Sequence, residues 1–181
     1  MIRAVLLALL ALSFAAPAGA ATLDQMAGQM IIVGFKGDDV NDASVKAIRD
    51  EIAAGTLGGL MYLKPNVKSL AAVKAMNAAF RAASPDLPPF LTLDQEGGAV
   101  ERLTKDVGFN ELPNAQTIAA DNTPAQAEAI YAKMAKGIAD EGFTVNFGPI
   151  ADLNINPDNP IIGKYGRSFS KDGKTVTAYD E

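Results

Sequence analysis

The sequence contains no cysteine and no histidine, and each absence removes a class of chemistry. Without thiols there are no disulfides, no Cys-based zinc sites and no thiol nucleophile. Without imidazole, the commonest general acid or base and the commonest metal ligand are lost together. Catalysis by these residues alone falls to carboxylates, Lys, Tyr or Ser. No metal or organic cofactor is implied, since carboxylate chemistry needs none. Positive charge is also scarce: 16 Lys and Arg stand against 21 Asp and Glu, a net charge of −5, with no run of basic residues. A polyphosphate partner requires clustered cations, so nucleic acid is excluded as a partner. With 49% hydrophobic and 20% charged residues, the balance is that of a globular protein, and 181 residues fit one domain or part of a larger one.

The first twenty residues read as a secretory signal. Arg3 supplies the positive start, Ala4 to Ala16 is small and apolar except at Ser13, and Pro17 breaks the run before Ala18-Gly19-Ala20, a small-x-small cleavage site. A retained anchor is the alternative, but the run is shorter than the about 20 residues a membrane span needs. With no cysteine after the cleavage site, a bacterial lipoprotein is excluded. The expected organisation is a signal at 1–20 and one domain at 21–181. The product is exported, periplasmic or secreted, with no membrane span after cleavage.

Beyond the signal, short apolar runs alternate with amphipathic stretches. Strands are expected at Met30 to Phe35, Leu57 to Leu63, Pro89 to Asp94 and Phe143 to Ile150. Helical spacing appears in Val45, Ile48 and Ile52, with Asn41 or Asp42 as N-cap and Gly55 at the stop. It recurs in Leu70, Val73, Met76 and Phe80. The third helix is the best signed: Thr123 caps it, Pro124 takes the first position, Gln126 completes a capping box, and Ala127, Ile130, Met134 and Ile138 form a stripe ending at Gly142. Alternating strands and helices predict parallel pairing with right-handed crossovers. No GxGxxG or GxxxxGK[ST] fingerprint follows the first strand, which disfavours a nucleotide-binding fold. A (β/α) barrel is favoured, yet such a barrel typically takes about 250 residues. The expected fold class is therefore α/β, the N-terminal half of a (β/α)8 TIM-type barrel.

Polar clusters follow the third and fourth strands, where barrel enzymes place their sites. The first is Asp94-Gln95-Glu96-Gly97-Gly98, followed by Val100-Glu101-Arg102-Leu103. Two carboxylates two residues apart at a strand end sit roughly 6.5 to 7 Å apart along the chain, near the spacing of a glycosidase acid and base. A solvated loop carrying two surface acids is an equal reading of that spacing. The second cluster runs from Asn146 to Ser170 and holds Arg167 behind Gly166. That arginine is either a clamp for a carboxylate, phosphate or sugar oxygen, or a loop brace paired with Asp152.

Asp94-Gln95-Glu96-Gly97-Gly98-x-Val100-x-Arg102-Leu103 resembles a motif of family 3 glycoside hydrolases, in the β-N-acetylhexosaminidase branch. Phe147 to Asn154, Asn159-Pro160-Ile161-Ile162-Gly163 and Gly166-Arg167-Ser168-Phe169 resemble later segments of that family in the same order, and Leu23 to Phe35 resembles its opening helix and strand. The resemblance implies retaining removal of terminal β-linked N-acetylglucosamine, with peptidoglycan fragments in the substrate class. It also implies that Asp94 binds sugar hydroxyls and that Arg102 and Arg167 contribute to the same pocket, none of them being the nucleophile.

The same resemblance places the catalytic groups further on: a Lys-His-Phe-Pro-Gly-His-Gly motif, a histidine acid/base and a later aspartate nucleophile. None stands among these 181 residues, so the expectation is a binding half of a site that does not itself turn over a glycoside. Ala99 sits where the family often carries Arg, and Lys164-Tyr165-Gly166 lengthens the segment before Arg167. Three readings stay open: a fragment of a full hydrolase, a non-catalytic sugar-binding remnant, or a half-barrel that assembles with a second chain. β-Glucosidase activity is the alternative within the family.

Overall fold

A computed structural model of the chain describes residues 21–180, and the signal expected at 1–20 lies outside them. Helix α1 (Leu23–Gly28) leads into strand β1 (Ile32–Gly34). Then follow α2 (Ala43–Ala53), β2 (Gly59–Tyr62), α3 (Leu70–Ala83), β3 (Phe90–Leu93), α4 (Ala115–Asp121), α5 (Pro124–Asp140), β4 (Val145–Asn146) and α6 (Gly173–Asp180). The strands form one parallel sheet in the order β1-β2-β3-β4. Parallel neighbours in chain order, each joined through a helix, make the N-terminal half of a TIM-type barrel.

The expected strands are present but trimmed. The run from Phe143 to Ile150 keeps its paired register only at Val145 and Asn146, because β3 ends at Leu93, whose carbonyl accepts the last bond from the Phe147 N–H at 3.0 Å. Between β3 and β4 the sequence advertised one helix and the structure has two. Helix α4 is capped by Asn114, whose side chain accepts from the Thr117 N–H at 2.9 Å. It buries Ala115 and Ile118 only, too short a stripe to register as a period. The ends of α5 match expectation: Thr123 and Gln126 bond each other's backbone reciprocally, and Pro124 opens the helix. At α2 the N-cap is Asp42, but its carboxylate does not cap the helix. It accepts from the Asp38 and Asp39 N–H groups at 2.9 and 3.2 Å, bracing the preceding loop instead.

The two faces of the sheet differ sharply. Register pairs Val33 with Leu60 and Leu91, and Tyr62 with Leu93. These side chains face the helices and, apart from half-buried Val33, are wholly buried among Val45, Ile52, Val73, Met76 and Phe80. Tyr62 lies edge-on to Phe35 and to Phe143, each with centroids 4.9 Å away. The alternate residues point the other way. There Ile32 and Phe90 are 40% and 53% exposed, and Met61 and Val145 are half-buried. Thr92, between them, is buried and donates its hydroxyl to the Leu60 carbonyl at 2.9 Å. Strands β1 and β4 are the two edges of this sheet, and the open face lies on the side that a barrel would enclose.

Candidate functional site

The C-terminal ends of β3 and β4 feed the two loops that form the site. One residue past Leu93, the alternation that exposes Phe90 turns Asp94 towards the same open face. The next residue, Gln95, is fully buried at 0% exposure and fastens the loop. Its Oε1 accepts from the Arg102 and Leu103 N–H groups, both at 3.0 Å, and its Nε2 donates to the Leu103 carbonyl at 2.8 Å. Its backbone is held by Asn146 on β4, which accepts from the Gln95 N–H at 2.9 Å and donates to the Gln95 carbonyl at 3.0 Å. The loop from 96 to 103 is thereby bolted to both strands. The turn itself depends on Gly97, whose φ is +100 and where a Cβ would lie 2.3 Å from the Pro113 carbonyl oxygen. No other residue fits that conformation beside that backbone.

Bolting the loop returns Arg102 to Asp94. An Nη of Arg102 donates to Oδ2 of Asp94 at 2.5 Å, with 18% and 24% of the two side chains exposed. The second acid of the motif takes a different partner. Glu96, 8% exposed in its side chain, accepts a two-point bond from Arg167, from Nε at 2.8 Å and from Nη2 at 2.7 Å. This bond raises the Arg167 guanidinium pKa further, with the charges of Glu96, Asp94 and Asp152 adding to it. The two acids are therefore not a free acid–base pair, for each is claimed by its own arginine. Nor is Arg167 the partner of Asp152. The Asp152 carbonyl accepts from the Ser168 hydroxyl at 2.5 Å, while Arg167 reaches back 71 residues to Glu96. The structure thus brings Asp94, Arg102 and Arg167 to one end of the sheet, with Glu96 among them.

Sequence reasoning gave Gln95 and Asn146 no role. A glutamine between two acids, ahead of a Gly-Gly turn, was the one available sign. Tyr131 on α5 was also missed. Its hydroxyl is buried without a partner among the described residues, and burial, then the charges of Glu96 and Asp180, push its phenol pKa up. A cavity of about 560 Å³ lies beside it, lined by Met134, Gly148, Pro149 and Tyr179 among others. It is separate from the Asp94–Arg102 pair, which opens on the sheet face. Among the described residues no cluster of acids is placed to hold a metal ion, and no helix is long and apolar enough to cross a membrane.

Residues 22–181 match the family model described as the glycosyl hydrolase family 3 N-terminal domain. The chain belongs to that family. Similar relatives include the β-hexosaminidase A of Pseudoalteromonas piscicida, 31% identical over 176 residues that cover 86% of this chain and 29% of the relative. A β-hexosaminidase of Stenotrophomonas maltophilia is 33% identical over 156 residues, 83% of this chain and 43% of the relative. Among solved structures, a glycoside hydrolase family 3 β-N-acetylglucosaminidase from a Paenibacillus species aligns with a TM-score of 0.79 at 29% identity, covering 88% of this chain and 30% of that one. The chain spans 29% and 43% of the length of these two curated relatives.

Proposed function

We propose that this family 3 chain supplies the sugar-holding half of a site that removes terminal β-linked N-acetylglucosamine with retention of configuration. Asp94 accepts two sugar hydroxyls, and Arg102 and Arg167 flank it with guanidinium donors, so that the ring is fixed for attack. The observation that carries this reading is the Asp94–Arg102 pair at 2.5 Å, partly open to solvent at the end of β3 where the sheet face is uncovered. Further support comes from relatives named as β-hexosaminidases. Cleavage itself is assigned to groups outside these residues, because both acids at this strand end are held by arginine. Peptidoglycan fragments are the substrate class that fits an exported enzyme with this specificity, and residues 1–20 are read as the export signal.

Equilibrium dialysis with N-acetylglucosamine tests the binding half. Asp94→Ala removes charge-assisted bonds, each contributing about 1.5–3 kcal/mol, so affinity should fall on the order of tenfold or more. Equal affinity in Asp94→Ala would sink the assignment. Hydrolysis of a chromogenic N-acetylglucosaminide by this chain above the buffer rate would overturn the division between holding and cutting.

A further inference from the structure

The Glu96–Arg167 pair asks for a function that neither the sugar-holding reading nor catalysis assigns. Glu96 is the more buried of the two motif acids, and its surroundings fix it on every side. Its N–H donates to the Val100 carbonyl at 2.9 Å. Gly148 of the next loop approaches so closely that a Cβ there would lie 2.9 Å from Glu96 Cγ. A carboxylate this buried cannot stand unpaired. Arg167 is comparably constrained in its backbone: its N–H donates to the Ile162 carbonyl at 3.1 Å, and the Gly166 carbonyl before it accepts from Gln116 at 3.0 Å.

The bond uses Nε and Nη2 of Arg167. A two-point guanidinium–carboxylate bond fixes the plane as well as the position of the group. Nη1 makes no protein hydrogen bond among the described residues, and it is not among their buried unpartnered atoms. The Asp94 charge also acts on this guanidinium, and Asp94 stands two residues before the Glu96 that holds it. By contrast Arg102 gives Asp94 a single bond, which leaves Asp94 lone pairs for a ligand.

We propose that Glu96 is a positioning residue: its carboxylate acts as neither acid, base nor sugar ligand, but holds the plane of Arg167 so that the free Nη1 edge is presented beside Asp94. The proposal deepens the sugar-holding reading and rests on it for the ligand. The two loops that carry the site, 94–103 and 147–170, are joined by this contact between residues 71 apart. Tyr131 fits the same picture. Its ring is edge-on to Phe169 at 6.1 Å, and with its pKa pushed up it stays neutral and adds no competing charge next to Glu96.

The test is residue-resolved modification of arginines by phenylglyoxal in the 181-residue chain, read by peptide mass spectrometry, with and without N-acetylglucosamine. In Glu96→Gln, Arg167 should react on the order of tenfold faster, as expected for loss of a charge-assisted pair, while Arg102 and Arg49 keep their rates. N-acetylglucosamine affinity should fall together with it. An unchanged Arg167 rate overturns the proposal. So does a freed Arg167 with undiminished sugar affinity, because the pair is then a loop brace alone. If every arginine accelerates, the fold has been lost and Glu96→Asp decides. That variant keeps the charge but lacks the reach for both bonds, so selective acceleration at Arg167 supports the proposal and none refutes it. Absence of any sugar protection in the unaltered chain defeats the sugar-holding reading separately, and the sugar-free Arg167 rates still report whether Glu96 sets that side chain.

Discussion

Replacing Gln95 with leucine should be among the most damaging single changes available near the site, although Gln95 itself faces no ligand. Its side chain is fully buried and satisfies three backbone groups, the N–H of Arg102 and both the N–H and the carbonyl of Leu103. Leucine is close to glutamine in volume, so little cavity forms, and the loss is polar. Each buried backbone group left unpartnered costs about 1–3 kcal/mol. Taking the lower end for Arg102, which is partly exposed, and the middle for each of the two Leu103 groups, which are wholly buried, the total is about 5 kcal/mol. That is comparable to the lower end of a whole domain's stability, about 5 kcal/mol. The measurement is the urea midpoint at fixed protomer concentration, because any self-association makes the midpoint concentration-dependent. With a slope of about 2 kcal/mol per molar, the midpoint should drop on the order of 2 M. Gln95→Glu keeps an acceptor for the two N–H groups but turns an acceptor towards the Leu103 carbonyl, and should fall between leucine and the natural residue. A drop below about 0.5 M for Gln95→Leu would mean that water replaces the three bonds and that the loop is not bolted down as described.

Other expectations concern the turn, the acids and the open face. Gly97→Ala should destabilise by about 3 kcal/mol or more, combining a positive φ with a backbone clash, whereas Gly34→Ala, with nothing within 4 Å of the new Cβ, should be near neutral; equal melting shifts for the two would refute the geometry at Gly97. Burial raises the Glu101 pKa above its ordinary value of 4.5. A raised acid favours the folded state below its unfolded pKa and loses that contribution as pH rises through the folded value. Stability should therefore decline upward from about pH 4.5 in this component, and Glu101→Gln should flatten the decline; an unaltered pH profile by thermal melt argues against it. Finally, the sheet exposes Ile32 and Phe90 on one face and the ladder groups of β1 and β4 at its edges, and unpaired edges template association. The 181-residue chain should be oligomeric or aggregated at micromolar concentration, and a monodisperse monomer with a cooperative melt in light scattering would contradict this.

What could be read from the sequence follows the range over which each cause acts. The start of α5 depends on Thr123, Pro124 and Gln126, all within one turn, and it was legible in full. The four strands were legible as apolar runs, while their ends were not, since pairing stops where partners stop. Asp42 shows the limit even at short range: the residue type marks a cap, but the carboxylate had two nearer N–H groups in its own loop. Helix α4 offered only Ala115 and Ile118 as a buried face and so carried no period. Asp94, Arg102 and Arg167 were named through the family resemblance rather than through spacing, and spacing alone left an acid–base pair and two solvated acids as equal readings, neither of which names the arginine partners. The bond from Arg167 to Glu96 spans 71 positions and exists only because two strand ends stand side by side.

The bolted loop also separates what the protein must keep from what it can change. Gln95, Asn146 and Gly97 hold the chain on either side of the turn, yet Ala99 at its tip is exposed and supports none of those bonds. A larger or charged side chain at Ala99 would displace none of the bonds that Gln95 and Asn146 make. The tip of this turn is thus free to vary, by natural drift or in mutagenic libraries, while the frame beneath it is not.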